Sequence, residues 1–300
     1  MIGEERKLGA RLLVCCAVAA VLALVRCGAD AADATDTKTA SDGAATTRSG
    51  DAAAAGAATT RSSTQPATPW RPPKPLGASE RVQQRHGMVR RQIMSPIDGR
   101  TAVRDPDVLQ AMRGVPRHAF IPAKRRLQRH AYLDRPLGIG HGQTISQPYI
   151  VALMTELLQV KPDAKVLEVG TGSGYQAAVL AHLTPHVYSV EIIEPLAKRA
   201  AVTLKKQGYK VVRTRVGDGY FGWKDEAPFD AIIVTCASGH LPPPVWDQLK
   251  PGGRIVIPIG RKSGIQRLVV LSKLPDGKRR SRTVTGVRFV PMTGEAQRKK

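Results

Sequence analysis

Three acidic residues and a run of glycines pose the chemical question in this 300-residue chain. Glu168 lies in Val166-Leu167-Glu168-Val169-Gly170-Thr171-Gly172-Ser173-Gly174, an apolar strand pattern that runs into a glycine-rich turn and then a helix pattern. Glycines in such a turn let the backbone approach a ligand closely at the carboxyl end of the strand. The spacing is Gly-x-Gly-x-Gly, and the acid just before it would repel a pyrophosphate, so a cationic ligand suits the turn better. Glu191 follows the next strand pattern, at the separation where an acid can hold both hydroxyls of a ribose. Asp218, in Val216-Gly217-Asp218-Gly219, follows the third strand pattern and is placed to accept from an adenine amino group. One acid per successive strand end outlines an adenosine site, with Gly170, Thr171, Gly172, Gly174 and Gly219 as its backbone.

A second cluster precedes the sheet. Gln143-Thr144-Ile145-Ser146-Gln147-Pro148-Tyr149 sets two hydroxyls beside a helix start. On residue type alone Ser146 reads as an N-cap, with Pro148 in the first turn. His141 sits in a glycine-rich loop and reads as loop structure. Cys236 follows the fourth strand pattern after Thr235, and reads as a half-buried thiol.

The elements that must hold these groups alternate. Strands are predicted at 165–169, 186–190, 210–216, 229–235 and 254–258. Helices are predicted at 175–183, 194–207 and 243–249. Short, fully apolar strands alternating with helices predict an α/β domain with a doubly wound, mostly parallel sheet covered on both faces. Strands at 267–272 and 283–290, with no helix between, predict an antiparallel edge hairpin and bring the sheet to seven strands. Lys278-Arg279-Arg280 reads as its solvated tip. Ahead of the sheet, helices are predicted at 81–93, from Pro106 to Pro116, and at 147–159. The last of these has Ile150, Leu153, Met154, Leu157 and Leu158 on one face. Residues 120–142 read as loop. This predicts one folded domain at 80–300, as an N-terminal helical extension (80–160) and a sheet core (161–300).

The N-terminus has another character. Arg6, Lys7 and Arg11 precede an apolar run from Leu12 to Val25, too short for a bilayer span but suited to a signal peptide. Residues 1–28 are thus read as a signal or anchor segment. It ends either at Cys27, in a lipoprotein-like Leu24-Val25-Arg26-Cys27, or at Ala29-Asp30-Ala31. Residues 29–79 are Ala, Thr, Ser, Gly, Asp and Pro, a composition that predicts a disordered tether. Export to a bacterial envelope follows, periplasmic or lipid-anchored at the membrane. A start near Met88 would instead leave a cytoplasmic protein. Net charge is +22, of which residues 80–300 carry +20. That excludes an acidic tail protein and favours acidic partners. Four Cys, at 15, 16, 27 and 236, form neither a metal spacing nor a disulfide framework.

The acids and the glycine turn follow the pattern of class I S-adenosylmethionine-dependent methyltransferases, whose fold is Rossmann-like. Residues 143–149, Val115-Pro116-Arg117-His118-Ala119-Phe120, Val166–Leu180, Gly217–Gly219, Pro228–Val234, Leu249–Arg254 and Val287-Arg288-Phe289-Val290-Pro291 resemble, in order, the protein-L-isoaspartate O-methyltransferases. The resemblance covers about residues 80 to 296, and Thr144-Ile145-Ser146-x-Pro148 is its specific part. It implies methyl transfer from S-adenosyl-L-methionine, as co-substrate and without a metal, to the free carboxylate of L-isoaspartyl residues. The ester then returns to succinimide, a repair of damaged proteins and peptides. It also implies that Gln143, Thr144, Ile145 and Ser146 line the meeting point of donor and carboxylate, with Ser146 catalytic and Thr144 assisting. The carboxylate is already ionised, so Ser146 is cast as a hydrogen-bond donor; no Gly-x-Ser-x-Gly elbow surrounds it. A monomer with no specific nucleic-acid partner is expected. Two competing readings are a nucleic-acid methyltransferase on the same fold, favoured by the charge, and a tethered basic module without activity. Residues 234–237 lack the Asn/Asp-Pro-Pro-aromatic motif of the former, and the intact acids speak against the latter.

Overall fold

The computed structural model describes residues 70–75 and 77–295, all within a compact unit spanning Thr64–Lys300. The signal-like segment and the linker up to residue 69 lie outside the described residues. Seven strands form one sheet: β3 (Val166–Val169), β4 (Val187–Glu191), β5 (Arg213–Val216), β6 (Phe229–Val234), β7 (Leu249–Ile259), β8 (Gln266–Lys273) and β9 (Arg279–Val287). Their order is β5-β4-β3-β6-β7-β8-β9. All pairs from β5 to β7 are parallel, and β7–β8 and β8–β9 are antiparallel. The chain order reverses between β3 and β6, and open α/β sheets bind ligands at that point.

Burial explains the strands. Every residue of β3 and β4 is buried, so both faces of the sheet centre are covered. One face packs Val166, Val187, Ile233 and Val256 under α4 (Pro148–Leu158) and α5 (Tyr175–Leu180). The other packs Leu167, Val169, Phe229, Ile232 and Ile257 against Tyr188, Tyr220 and Val245. Helices α6 (Glu194–Lys206) and α7 (Pro243–Asp247) complete the alternation.

The N-terminal extension departs from its sequence reading in three places. The helix predicted at 81–93 is α1 (Val82–Met88) followed by a π-helical turn at Val89–Ile93. After α2 (Pro106–Gly114), capped by Asp105, the stretch predicted as loop holds a 3-10 turn at Arg117–Phe120 and helix α3 (Arg125–Arg129). It also holds β1 (Leu137–Gly140), which pairs antiparallel with β2 (Gln143–Ile145). The period-2 signal was present: Leu137 and Ile139 are buried while Gly138 and Gly140 are exposed, and the glycines masked it. Helix α4 is buried nearly all round, because α2 and the π turn cover the side away from the sheet.

At the other end β9 begins four residues earlier than predicted. Arg279 and Arg280 pair with Lys273 and Ser272, so they belong to the strand and not to the hairpin tip. An exposed edge strand tolerates such charge. Among the described residues no helix is long and apolar enough to cross a membrane.

Candidate active site

A cleft opens at the carboxyl ends of β3, β4 and β6, where the chain order reverses. Gln143, Thr144, Ile145, Ser146, Glu168, Gly170, Thr171, Gly172, Glu191 and Gly219 all line it. Two sequence-predicted residues do not. Gly174 turns inward, and a Cβ there would press on Leu204 and Ala200, so it serves the packing of α5 on α6. Asp218 is also outside the lining: its Oδ1 accepts from the Tyr220 N–H at 2.9 Å and its Oδ2 from the Glu295 N–H at 2.7 Å. This acid ties the chain's last described residues to the β5 end, which spacing along the sequence does not reveal.

The glycine turn is held by its neighbours. Gly170 has φ of 99°, and a Cβ would lie 2.6 Å from Thr235 Oγ1. That hydroxyl donates to the Gly170 carbonyl at 2.7 Å. Glu191 accepts from the Gly172 N–H at 2.8 Å and the Ile193 N–H at 2.9 Å, leaving further lone pairs for a ligand.

Glu168 is fully buried. The Ser189 hydroxyl donates to its Oε2 at 2.5 Å, while Oε1 has no hydrogen-bond partner. Burial, reinforced by the Glu191 charge, pushes its carboxyl up to about 8. An orphaned acceptor on the cleft wall is costly until something donates to it. A cationic donor group fits that oxygen.

Ser146 stands where two spaces meet. It lines the first cleft and also an adjoining groove of about 760 Å³, as do Thr144, Thr235 and Val290. Its hydroxyl makes no hydrogen bond among the described residues. The capping role that residue type suggested belongs elsewhere: the α4 N-cap position is Gln147, and it supplies no side-chain cap. The cap comes from Asp134, which accepts from the Tyr149 N–H at 2.9 Å through Oδ1. Its Oδ2 accepts from Gln147 Nε2 and from Arg100 Nη2, both at 2.8 Å. Arg100 in turn lies over the Tyr149 ring, 4.0 Å from its centroid. Asp134 thus pins the segment that follows Ser146 from both sides.

Comparison with known proteins bears on this arrangement. The family model for protein-L-isoaspartate(D-aspartate) O-methyltransferase matches residues 89–297. The chain belongs to this family. Protein-L-isoaspartate O-methyltransferase 2 of Syntrophobacter fumaroxidans is 58% identical over 196 residues, 65% of this chain and 78% of that one. Protein-L-isoaspartate O-methyltransferase 1 of Cupriavidus necator is 56% identical over 197 residues, covering 66% and 75%. A solved protein-L-isoaspartate O-methyltransferase aligns with a TM-score of 0.59 at 29% identity, over 65% of this chain and 63% of that one. A putative family member from Plasmodium falciparum, solved in complex with S-adenosyl-L-homocysteine, aligns with a TM-score of 0.56 at 26% identity, covering 63% and 91%.

Several residues at this methyltransferase's site escaped sequence reasoning. Thr235 and Cys236, with residues 290–293, close the cleft. The next residue joins the two segments: the Ala237 N–H donates to the Val290 carbonyl and the Met292 N–H to the Ala237 carbonyl. A residue just past β6, beside the reversal point, was the available signal for Thr235. Cys236 is half-buried in the cleft wall, and desolvation there pushes its thiol up. His141 is exposed at the β1–β2 turn, with φ of 53°, and lines neither space. Asp134 carried no spacing signal at all. Replacing it with alanine is expected to lower kcat about tenfold and stability by about 1–2 kcal/mol, the scale of a lost cap. Asp134→Asn, which keeps one acceptor for the Tyr149 N–H, should recover much of both. Steady-state kinetics and thermal melts check this. A lowered Tm with unchanged kcat would show that Asp134 only supports the fold.

Proposed function

We infer that this protein transfers a methyl group from S-adenosyl-L-methionine to the free carboxylate of L-isoaspartyl residues in damaged proteins. The observation that carries the reading is the Ser146 hydroxyl, without a partner among the described residues, at the junction of the two spaces. S-adenosyl-L-methionine supplies an electrophilic sulfonium methyl. Glu168 Oε1 suits its cationic portion, Glu191 the ribose hydroxyls, and the Gly170–Gly172 backbone a close approach. In this reading the groove beyond Ser146 takes the isoaspartyl segment.

The carboxylate nucleophile is ionised at neutral pH, so no residue has to remove a proton. The work of the chain is positioning and exclusion of water. Ser146 donates to one carboxylate oxygen and aims the other. Thr144, exposed on β2, assists. A single neutral donor orients the carboxylate without quenching it, whereas a paired guanidinium would hold the charge that has to be given up. The test is methyl transfer from labelled donor to paired peptides differing only in an L-isoaspartyl or an L-aspartyl linkage. Base-labile label on the isoaspartyl peptide alone is expected. Label on neither peptide, with the donor bound, would overturn the reading.

We also propose export as a monomer carried by residues 1–28 on a tether, and anchoring at the membrane if Cys27 is lipidated; the tether predicted to reach residue 79 ends earlier, since Pro75 is buried and the Ala78 carbonyl accepts from Arg85. Against a start at Met88 stands Arg85, which is buried and donates to the Ala78, Glu80 and Arg113 carbonyls. A chain begun at Met88 would lack that link between α1 and α2. The mature N-terminal mass in the native host checks this: cleavage at 27–31 is expected, and an intact Met1 in a soluble fraction would sink it.

A further inference from the structure

The groove beyond Ser146 has an uneven electrical lining. On its α4 side Arg100 is neutralised by Asp98 and Asp134, at 2.6 and 2.8 Å. On its sheet side Arg288 lines the groove, is exposed, and makes no hydrogen bond or ion pair among the described residues. The sheet surface continues the imbalance. Val284 and Thr285 of β9 line the groove. Farther along β9, Arg282 pairs with Val270 and Arg280 with Ser272, and Ser272 pairs with Arg254 of β7. Val270 packs in the core under α4, so these three arginines share the groove's face of the sheet. None has an ion-pair partner among the described residues. Residues 254–288 hold ten Lys and Arg and one acid, Asp276, which is already engaged with Lys278.

Such an array has little structural purpose. Mutual repulsion opposes folding, and edge protection needs one or two charges, not three arginines on one face with a fourth in the groove wall. An extended peptide advances about 3.3 Å per residue, and charges interact over roughly 8 Å at physiological salt. Side chains within a few positions of a residue held at Ser146 therefore feel Arg288, and then Arg282.

Resting on the carboxyl methyltransferase reading, we propose that this groove selects isoaspartyl segments flanked by acidic residues, through Arg288 in its wall and Arg282 and Arg280 on the adjoining strand face. The arginines act on encounter and binding of the flanks, not on the reacting carboxylate. Their effect falls on KM and leaves kcat in place.

The experiment compares isoaspartyl peptides of one sequence with Glu, Gln or Lys at the flanking positions. At low salt the Glu-flanked peptide is expected to show a KM about tenfold below that of the Lys-flanked one, as two or three weak ion pairs would give. The three kcat values should agree, and the KM ratio should shrink toward one in about 0.5 M salt, where screening is strong. In an Arg288→Glu/Arg282→Glu variant, checked for folding by its melt, the KM order should invert. Equal KM values for the wild-type protein at low salt would overturn the proposal without any variant. So would a preference that survives high salt or the double substitution. If the Gln-flanked isoaspartyl peptide is not methylated at all, the reading of the reaction itself fails, and the selectivity with it.

Discussion

Replacing Ser146 with alanine is expected to lower kcat on an isoaspartyl peptide by about a hundredfold, the scale of one lost donor in a water-poor site. Donor affinity should hold, because Ser146 Oγ is not among the groups that fit the adenosine or cationic portions. Stability should hold as well. Had Ser146 capped α4, its loss would appear mainly as a lower Tm. Asp134 caps that helix through the Tyr149 N–H, so the two effects separate. Ser146→Thr keeps a hydroxyl and should recover part of the rate. Thr144→Ala should cost less, since Thr144 is exposed while Ser146 is partly buried. Donor binding by calorimetry, the melt and kcat are the three readouts. A kcat within about threefold of wild type would remove Ser146 from the reaction, since one aligned donor is worth far more. A fall in Tm matched by the fall in activity would return it to a structural part.

The outcome depends on features that differ in how openly the sequence shows them. The centre of the parallel sheet was legible because β3, β4 and β6 are largely apolar and their turns carry Gly and Pro, whereas the edge strand β5 carries two arginines. Glu168 and Glu191 were legible for a related reason: each occupies the last positions of its strand, so register alone brings them to one cleft. Asp218 obeyed the same pattern and still fell outside. Its oxygens are taken by N–H groups of residues 220 and 295, and the second of these is brought by a chain crossing that no local pattern encodes. Asp134 failed in the opposite direction. It sits in a stretch without periodicity, and its importance arises only when α4 folds back over it. The β1–β2 hairpin was hidden because glycines occupy its outward positions. The arginines at the start of β9 read as a hairpin tip because charge is a loop signal, although an edge strand exposes most of its side chains.

Glu168→Gln should move stability and ligand binding in opposite directions. The Glu168 carboxyl rests near 8 in the folded chain, against 4.5 for the ordinary group, chiefly because burial disfavours its charged form. A folded value above the unfolded one means that this group contributes its full stability below about 4.5. That contribution is lost as pH rises toward 8. At pH 7 the loss amounts to about 3 kcal/mol, and above pH 8 to about 5 kcal/mol. Glutamine is neutral throughout and keeps an oxygen for the Ser189 hydroxyl. The variant without ligand should therefore melt higher than wild type at pH 7, and the gap should widen at pH 9. Binding should go the other way. A cation at Oε1 recovers the buried charge, and it requires the ionised acid. Wild-type donor affinity should thus rise about tenfold per pH unit from 6 to near 8 and then level. The variant turns an amide toward the cation, and should bind the donor about a hundredfold more weakly with that pH dependence gone. Melting curves without ligand and calorimetric titrations with S-adenosyl-L-homocysteine and the donor separate the two halves. A more stable variant that binds the donor as wild type does would show that the orphaned oxygen is strain without a purpose. Loss of both stability and binding would show that the ionised acid is held by the fold itself, with Ser189 and Thr171 as its support.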